Sequence, residues 1–148
     1  MEKITTILSK KEPHFQTVLQ GSSVEKALGQ MCCENVEYLV VIDDDERYIG
    51  LLTEHDIASK VLFGHKNADK TNVEAVMNQR LPTASTDDTV EYCMQTMRQH
   101  NIRYLPVFEN FNFRGIVSTE DILEEAVRNR TDIFDTELRR SGRYGVLT

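Results

Sequence analysis

Two short stretches of the chain place a hydroxyl and a carboxylate three residues apart at a strand-to-helix corner. GLLTEHDI, residues 50–57, carries Thr53 and Asp56, and GIVSTEDI, residues 115–122, carries Ser118 and Asp121. The apolar residues before each hydroxyl read as the end of a strand, and the apolar run after each carboxylate reads as a helix. Free N–H groups in such a first turn accept an anion, helped by the helix dipole. The aspartate can instead accept two hydrogen bonds from a vicinal diol, as acidic residues do for ribose in dinucleotide folds. The same spacing also describes a helix cap, with the hydroxyl at the cap and the carboxylate at the third helical position. From spacing alone both readings stand.

The residues around the two corners differ. Arg103 precedes the run YLPV, whereas Glu37 stands at the matching place before YLVV. A guanidinium binds phosphate in bidentate fashion and a carboxylate repels it. Arg103 is therefore the better phosphate reader, or else one half of a surface ion pair. Pro106 is matched by Val40. Proline lacks an N–H, so its strand is expected to be an edge at that point, leaving backbone acceptors for a ring amine. Lys60 follows the first corner and is placed to reach a phosphate. Lys10 and Lys11 are weaker candidates.

The elements that must hold these corners come in two copies. Residues 23–41 align with 89–107 at an offset of 66, with seven of nineteen positions identical. Beyond Val41 the offset is 65, a one-residue difference in a turn, and Gly50, Asp56 and Ile57 match Gly115, Asp121 and Ile122. Two copies are too few for a solenoid and suit a pseudo-twofold pair that buries one face of each half against the other. Each copy reads as strand, helix, strand, strand, helix. Ser22 or Ser23 is expected to cap the first helix, and Asp87 or Asp88 the helix of the second copy. Strands are expected at 38–42, 49–52, 104–108 and 115–118, with a short extended segment at 82–84. The domain boundaries are 4–65 for the first copy, 66–72 for a polar connector, 73–130 for the second copy and 131–148 for a helical extension and tail.

The chain has 148 residues, a formal charge of -7 and a hydrophobic fraction of 40%. An acidic balance argues against a nucleic-acid partner. No segment approaches the roughly 20 apolar residues that cross a bilayer, so no membrane partner is expected and the expected location is cytoplasmic. The three cysteines, Cys32, Cys33 and Cys93, are neither a CxxC pair nor a disulfide framework, and are read as packing residues in a reducing compartment. The histidines form no metal-binding motif, and no GxSxG, P-loop or GxGxxG is present, so neither catalysis nor a catalytic cofactor is expected.

The ordered pair NVEYLVVIDDDERYIGLLTEHDI and NIRYLPVFENFNFRGIVSTEDI resembles a tandem CBS domain pair, or Bateman module, over roughly residues 4–128. The resemblance implies an α/β fold of two β-α-β-β-α motifs about a pseudo-twofold axis. It also implies a homodimer of such modules. Implied ligands are AMP, ADP, ATP, S-adenosylmethionine or NAD. In the favoured second cleft the implied contacts are Thr83, Ala84, Arg103, Tyr104, Leu105, Pro106, Ser118 and Asp121. In the weaker first cleft they are Thr17, Val18, Tyr38, Thr53, Asp56 and Lys60. Glu37, Val40 and His55 depart from the usual pattern and count against phosphate in the first cleft. Most such pairs regulate an attached protein. No catalytic segment fits in the residues left over, so the expectation is a free-standing sensor acting on an unidentified partner protein. The rival is an interaction or scaffolding module that binds no nucleotide.

Overall fold

The computed structural model describes residues 2–11 and 15–129. The expected extension and tail at 131–148 lies outside the described residues. The chain opens with helix α1 (Ile4–Lys10), followed by β1 (Thr17–Leu19), α2 (Val24–Glu34), β2 (Tyr38–Ile42), β3 (Tyr48–Thr53) and α3 (Glu54–Ile57). A π-helical stretch (Ala58–Leu62) prolongs α3, and a 3-10 turn (Val73–Ala75) leads into the second copy. That copy contains β4 (Ala84–Ser85), α4 (Val90–Gln99), β5 (Tyr104–Glu109), β6 (Asn112–Ser118) and a helix α5 over residues 119–129.

The strands form two three-stranded sheets of the same plan, ordered β1-β2-β3 and β4-β5-β6. In each, the first pair is parallel and the second antiparallel. Each sheet backs its own helices with a separate core. Val18, Ala27, Met31, Leu39 and Leu52 are among the residues filling one; Ala84, Cys93, Met97, Leu105 and Val117 are among those filling the other. The opposite sheet faces meet across a third core of Val40, Leu51 and Ile116, edged by Phe15, Tyr38, Tyr48, Tyr104 and Phe113. This is the doubled, mutually burying α/β architecture expected from the internal repeat.

The two copies also exchange segments. Ile4 and Ile7 of α1 pack in the core of the second repeat, and Val73, Val76 and Met77 pack in that of the first. Matching hydrogen bonds fasten both crossings. Ile4 N–H donates to Asp88 O and Val90 N–H to Glu2 O, while Val73 N–H donates to Ser22 O and Val24 N–H to Thr71 O. The repeated glycines lie under these crossings. A Cβ at Gly50 would stand 3.0 Å from Asn78 O, and one at Gly115 would stand 3.2 Å from Leu8 Cδ2.

Charge fixes which repeat α1 joins. Lys60 of the first repeat aligns with Glu125 of the second at the offset of 65. Lys10 Nζ donates to both Glu125 oxygens at 2.7 and 3.0 Å, and Lys11 Nζ to Asp121 Oδ2 at 2.8 Å. In the first repeat Asp56 matches Asp121, but Lys60 stands in place of Glu125 and already neighbours Asp56, so the site there would repel Lys10. The hydrogen bonds from Lys10 keep the Glu125 carboxyl below its ordinary range, against the opposing effect of burial. A carboxylate depressed in the folded state stabilises above its unfolded pKa, about 4.3, and loses that contribution as pH falls through the folded value. Glu125→Gln should therefore lower the urea midpoint at pH 7, and the deficit should shrink as the pH is taken below about 4. An undiminished deficit at low pH would show that the charge of Glu125 is not what matters.

Local chemistry accounts for the details. Ser23 Oγ accepts Lys26 N–H and caps α2, as expected. Neither Asp87 nor Asp88 caps α4. Thr89 Oγ1 accepts Tyr92 N–H at 3.1 Å, because the bond from Val90 to Glu2 starts the helix one residue later. Asp88 instead turns back and accepts Ser85 N–H. Cys93 is buried, but Cys32 and Cys33 are exposed, contrary to the packing role expected of them. The buried stripe Val24, Ala27 and Met31 leaves positions 32 and 33 on the outer face of α2. β5 is central to its sheet, but β4 pairs only with Val107 and Phe108, so at Pro106 the strand is an edge on that side, as expected. At the matching place Val40 N–H donates to Gln16 O, a bond proline cannot make, and β4 is accordingly one residue shorter than β1.

The β5–β6 turn puts Asn110 at φ 48° and Phe111 at φ 69°, with Phe111 fully exposed. Positive φ at both central residues suits Asn-Gly and strains a phenylalanine. Phe111→Gly should raise stability by about 1 kcal/mol, read as a higher thermal midpoint. An unchanged or lower midpoint would mean that the turn carries no such strain.

Candidate functional site

The two corners form as strand-to-helix turns, and both aspartates fold inward as capping residues. At the first, Thr53 Oγ1 accepts Asp56 N–H, and Asp56 Oδ2 accepts both the Thr53 N–H at 3.1 Å and its hydroxyl at 2.9 Å. At the second, Ser118 Oγ accepts Asp121 N–H and Asp121 Oδ2 accepts Ser118 N–H at 2.8 Å. Each aspartate also meets a lysine. Lys60 Nζ lies 3.6 Å from Asp56 Oδ1 and donates to Val76 O, which turns it toward the exchanged segment. Lys11 binds Asp121 from α1. Asp56 is buried at 8% exposure, whereas the Asp121 side chain keeps 19%.

Asp121 Oδ2 is thus engaged by a backbone N–H and an ammonium. Among the described residues no donor reaches Oδ1. Beside it opens a cleft of about 660 Å³, lined by Lys11, Phe15, Tyr38, Phe113, Gly115 and Ile116 with hydroxyls from α1 and Thr86. Phe15 meets Phe113 edge to face at 4.9 Å, and Phe113 stacks on Tyr48 at 4.7 Å. Burial in this aromatic group pushes the Tyr48 hydroxyl up to about 12. The cleft therefore offers flat apolar walls and a lysine that ties it to Asp121, a carboxylate just outside the lining with an oxygen left over, a set suited to a planar ring bearing a diol.

A second cleft of about 300 Å³ lies between the repeats, lined by Glu37, Tyr38, Arg103, Tyr104, Ser118 and Glu120 among others. Tyr104 donates its hydroxyl to Glu37 Oε2 at 2.8 Å, and its ring packs on Tyr38 at 4.8 Å. Burial first, then the bond to Glu37, drives the Tyr104 hydroxyl well above the ordinary tyrosine range. Arg103 is exposed at the mouth and forms no ion pair among the described residues.

The residues singled out from sequence are therefore distributed over different places. Arg103, Tyr104 and Ser118 border the smaller cleft, and Asp121 adjoins the larger through Lys11. Tyr38, assigned to the first-repeat set, borders both, so each cleft is built from both repeats. Val18, Ala84 and Leu105 lie in the cores and Pro106 is buried. Thr17 is half-buried on β1, and Thr83 is exposed just before β4. Lys11, a weaker candidate from sequence, carries the larger cleft together with Phe15 and Phe113, which were not singled out. Their partners are distant in the chain, as with Lys11 and Asp121, 110 residues apart. Among the described residues no group of three or more His, Cys, Asp or Glu is placed to hold a metal ion, and no helix is long and apolar enough to cross a membrane.

Comparison with known proteins matches the CBS domain family model to residues 9–62 and again to 73–128. An uncharacterized protein of Methanocaldococcus jannaschii is 30% identical over 134 residues, which is 82% of this chain and 31% of that one. A homoserine O-acetyltransferase of Methanosalsum zhilinae is 30% identical over 107 residues, 72% of this chain and 21% of that one. The chain thus spans a third or less of the length of these relatives. A solved CBS domain structure superposes with a TM-score of 0.79 at 27% identity, covering 86% of this chain and 99% of the other.

Proposed function

The chain belongs to the CBS domain family, with two motifs in tandem forming a Bateman module, and from that premise we propose that its larger cleft takes an adenosine-containing nucleotide. The module is regulatory and not catalytic. The observation that carries the nucleotide reading is the Asp121 carboxylate, its Oδ1 reached by no donor among the described residues, held by Lys11 next to a cleft walled by Phe15, Phe113 and Tyr38. A diol would bind Asp121 and a purine would lie against the rings. AMP, ADP and ATP are the leading ligands, with S-adenosylmethionine and NAD as further members of the class. Because the cleft borrows residues from α1 and both repeats, an occupant bears on how these pieces sit together. It alters what a regulated partner protein meets only so far as it prefers one arrangement.

Titration of the nucleotide-stripped protein by calorimetry against these five compounds tests the reading. Saturable binding in the micromolar range, about -8 kcal/mol, is expected for at least one. A folded protein that binds none of them would leave the aspartates as helix caps, as their completed capping boxes also allow, and the module as a protein-interaction unit.

We further infer that the module pairs with a second copy through the helices after β3 and β6. Leu62 and Phe63 are 71% and 84% exposed, and Leu123 on α5 is 55% exposed. Such apolar residues on equivalent helices favour association over solvation. Sedimentation should give a dimer, and Phe63→Ser should shift it toward monomer. A wild-type monomer at high concentration would remove this part of the proposal.

A further inference from the structure

The Lys11 ammonium occupies the ground between Asp121 and the sheet. It donates to Asp121 Oδ2 at 2.8 Å and to Ile116 O at 2.9 Å. It also sits against the Tyr38 hydroxyl, whose proton is held chiefly by burial and loosened by this neighbouring charge. Its side chain keeps 31% of its exposure and lines the 660 Å³ cleft. The other cations of that cleft lie at its rim and face carboxylates of their own, Lys3 with Asp87 and Arg114 with Glu109. Lys11 is thus the inner cation, and its present acceptors are groups that a bound diol or ring amine would also use.

We propose that the Lys11–Asp121 pair makes the cleft selective for ligands that carry both a diol and an anion. A ligand diol brings only neutral donors to Asp121, so a nucleoside offers the ammonium no counter-charge. An inorganic anion draws Lys11 away and strips Asp121 of its counter-charge. A nucleotide satisfies both groups: its diol takes Asp121 and its phosphate takes the ammonium, which the flexible four-carbon stem can carry across the cleft. The ammonium exchanges one counter-charge for another, and the carboxylate exchanges the ammonium for the two hydroxyl donors of the diol, so neither group is left without a partner. Selection of nucleotide over nucleoside therefore belongs to Lys11, the residue that ends the N-terminal helix, and not to Arg103 at the mouth of the smaller cleft. This inference rests on the reading of the larger cleft as a nucleotide site.

The test is calorimetry of the full chain with AMP and with adenosine, for wild type, Lys11→Met, Lys11→Arg and Arg103→Met, each first shown to unfold cooperatively. The readout is the ratio of the two affinities within each protein, which general loosening of the fold does not imitate. Wild type should favour AMP by about tenfold or more, the weight of one charge-assisted contact. Lys11→Met should bring the ratio to within about threefold, by weakening AMP more than adenosine. Lys11→Arg and Arg103→Met should keep the ratio. A ratio that survives in Lys11→Met, or collapses in Arg103→Met, overturns the proposal while leaving the cleft as a nucleotide site. Wild type that binds neither compound overturns both.

Discussion

Ile4→Ala should destabilise the protein by about 2–5 kcal/mol, although it changes a residue four positions from the start of the chain. Ile4 is 0% exposed and belongs to the core built by Cys93, Met97, Leu105 and Val117. Removing its branched end leaves a cavity inside that core, and the cost includes lost transfer energy and lost packing. A small domain has only about 5–15 kcal/mol in hand. The urea midpoint should fall with little change in slope, because the surface exposed on unfolding is nearly the same. The N-terminal helix would be peripheral to the second repeat if the midpoint stayed within a few tenths of a kcal/mol of wild type.

Asp121→Ala should cost about 10- to 100-fold in nucleotide affinity, the loss of hydrogen bonds to a charged acceptor. It should also cost about 1 kcal/mol of stability through the broken cap, and more through the stranding of Lys11. The matching change Asp56→Ala should reduce stability and leave the affinity of the larger cleft alone, since Asp56 is buried against Thr53 and Lys60 of its own repeat. The pair of variants thus separates capping from binding. Equal loss of affinity in both would mean that affinity follows the fold and not the Asp121 carboxylate.

The repeat made the architecture readable because identical spacing in two copies repeats the same local chemistry. The strand at Tyr38–Ile42, the Ser23 cap and both hydroxyl–carboxylate corners follow from neighbours within a few residues. What sequence did not show depends on distant partners. The α4 cap moved from Asp88 to Thr89 because Glu2 accepts Val90 N–H. Lys11 was only a weaker candidate because Asp121 and Ile116 stand more than a hundred residues away. Cys32 and Cys33 followed Met31 in an apolar-looking run, but the stripe that contains Met31 turns both outward. Pro106 announced a local edge correctly, since β4 stops short of it, although β5 as a whole is the central strand.

The exchange of segments between the repeats has a kinetic consequence. Helix α1 meets Asp88 and Val90, so its contacts close a loop of more than eighty residues. Such closure is entropically costly and tends to come late, after the local hairpins β2–β3 and β5–β6 have formed. A residue that docks after the rate-limiting step affects escape from the native state and not the approach to it. Ile4→Ala should therefore leave the refolding limb of the chevron nearly in place and raise the unfolding limb, so that the first few residues of the chain govern how long the folded molecule lasts.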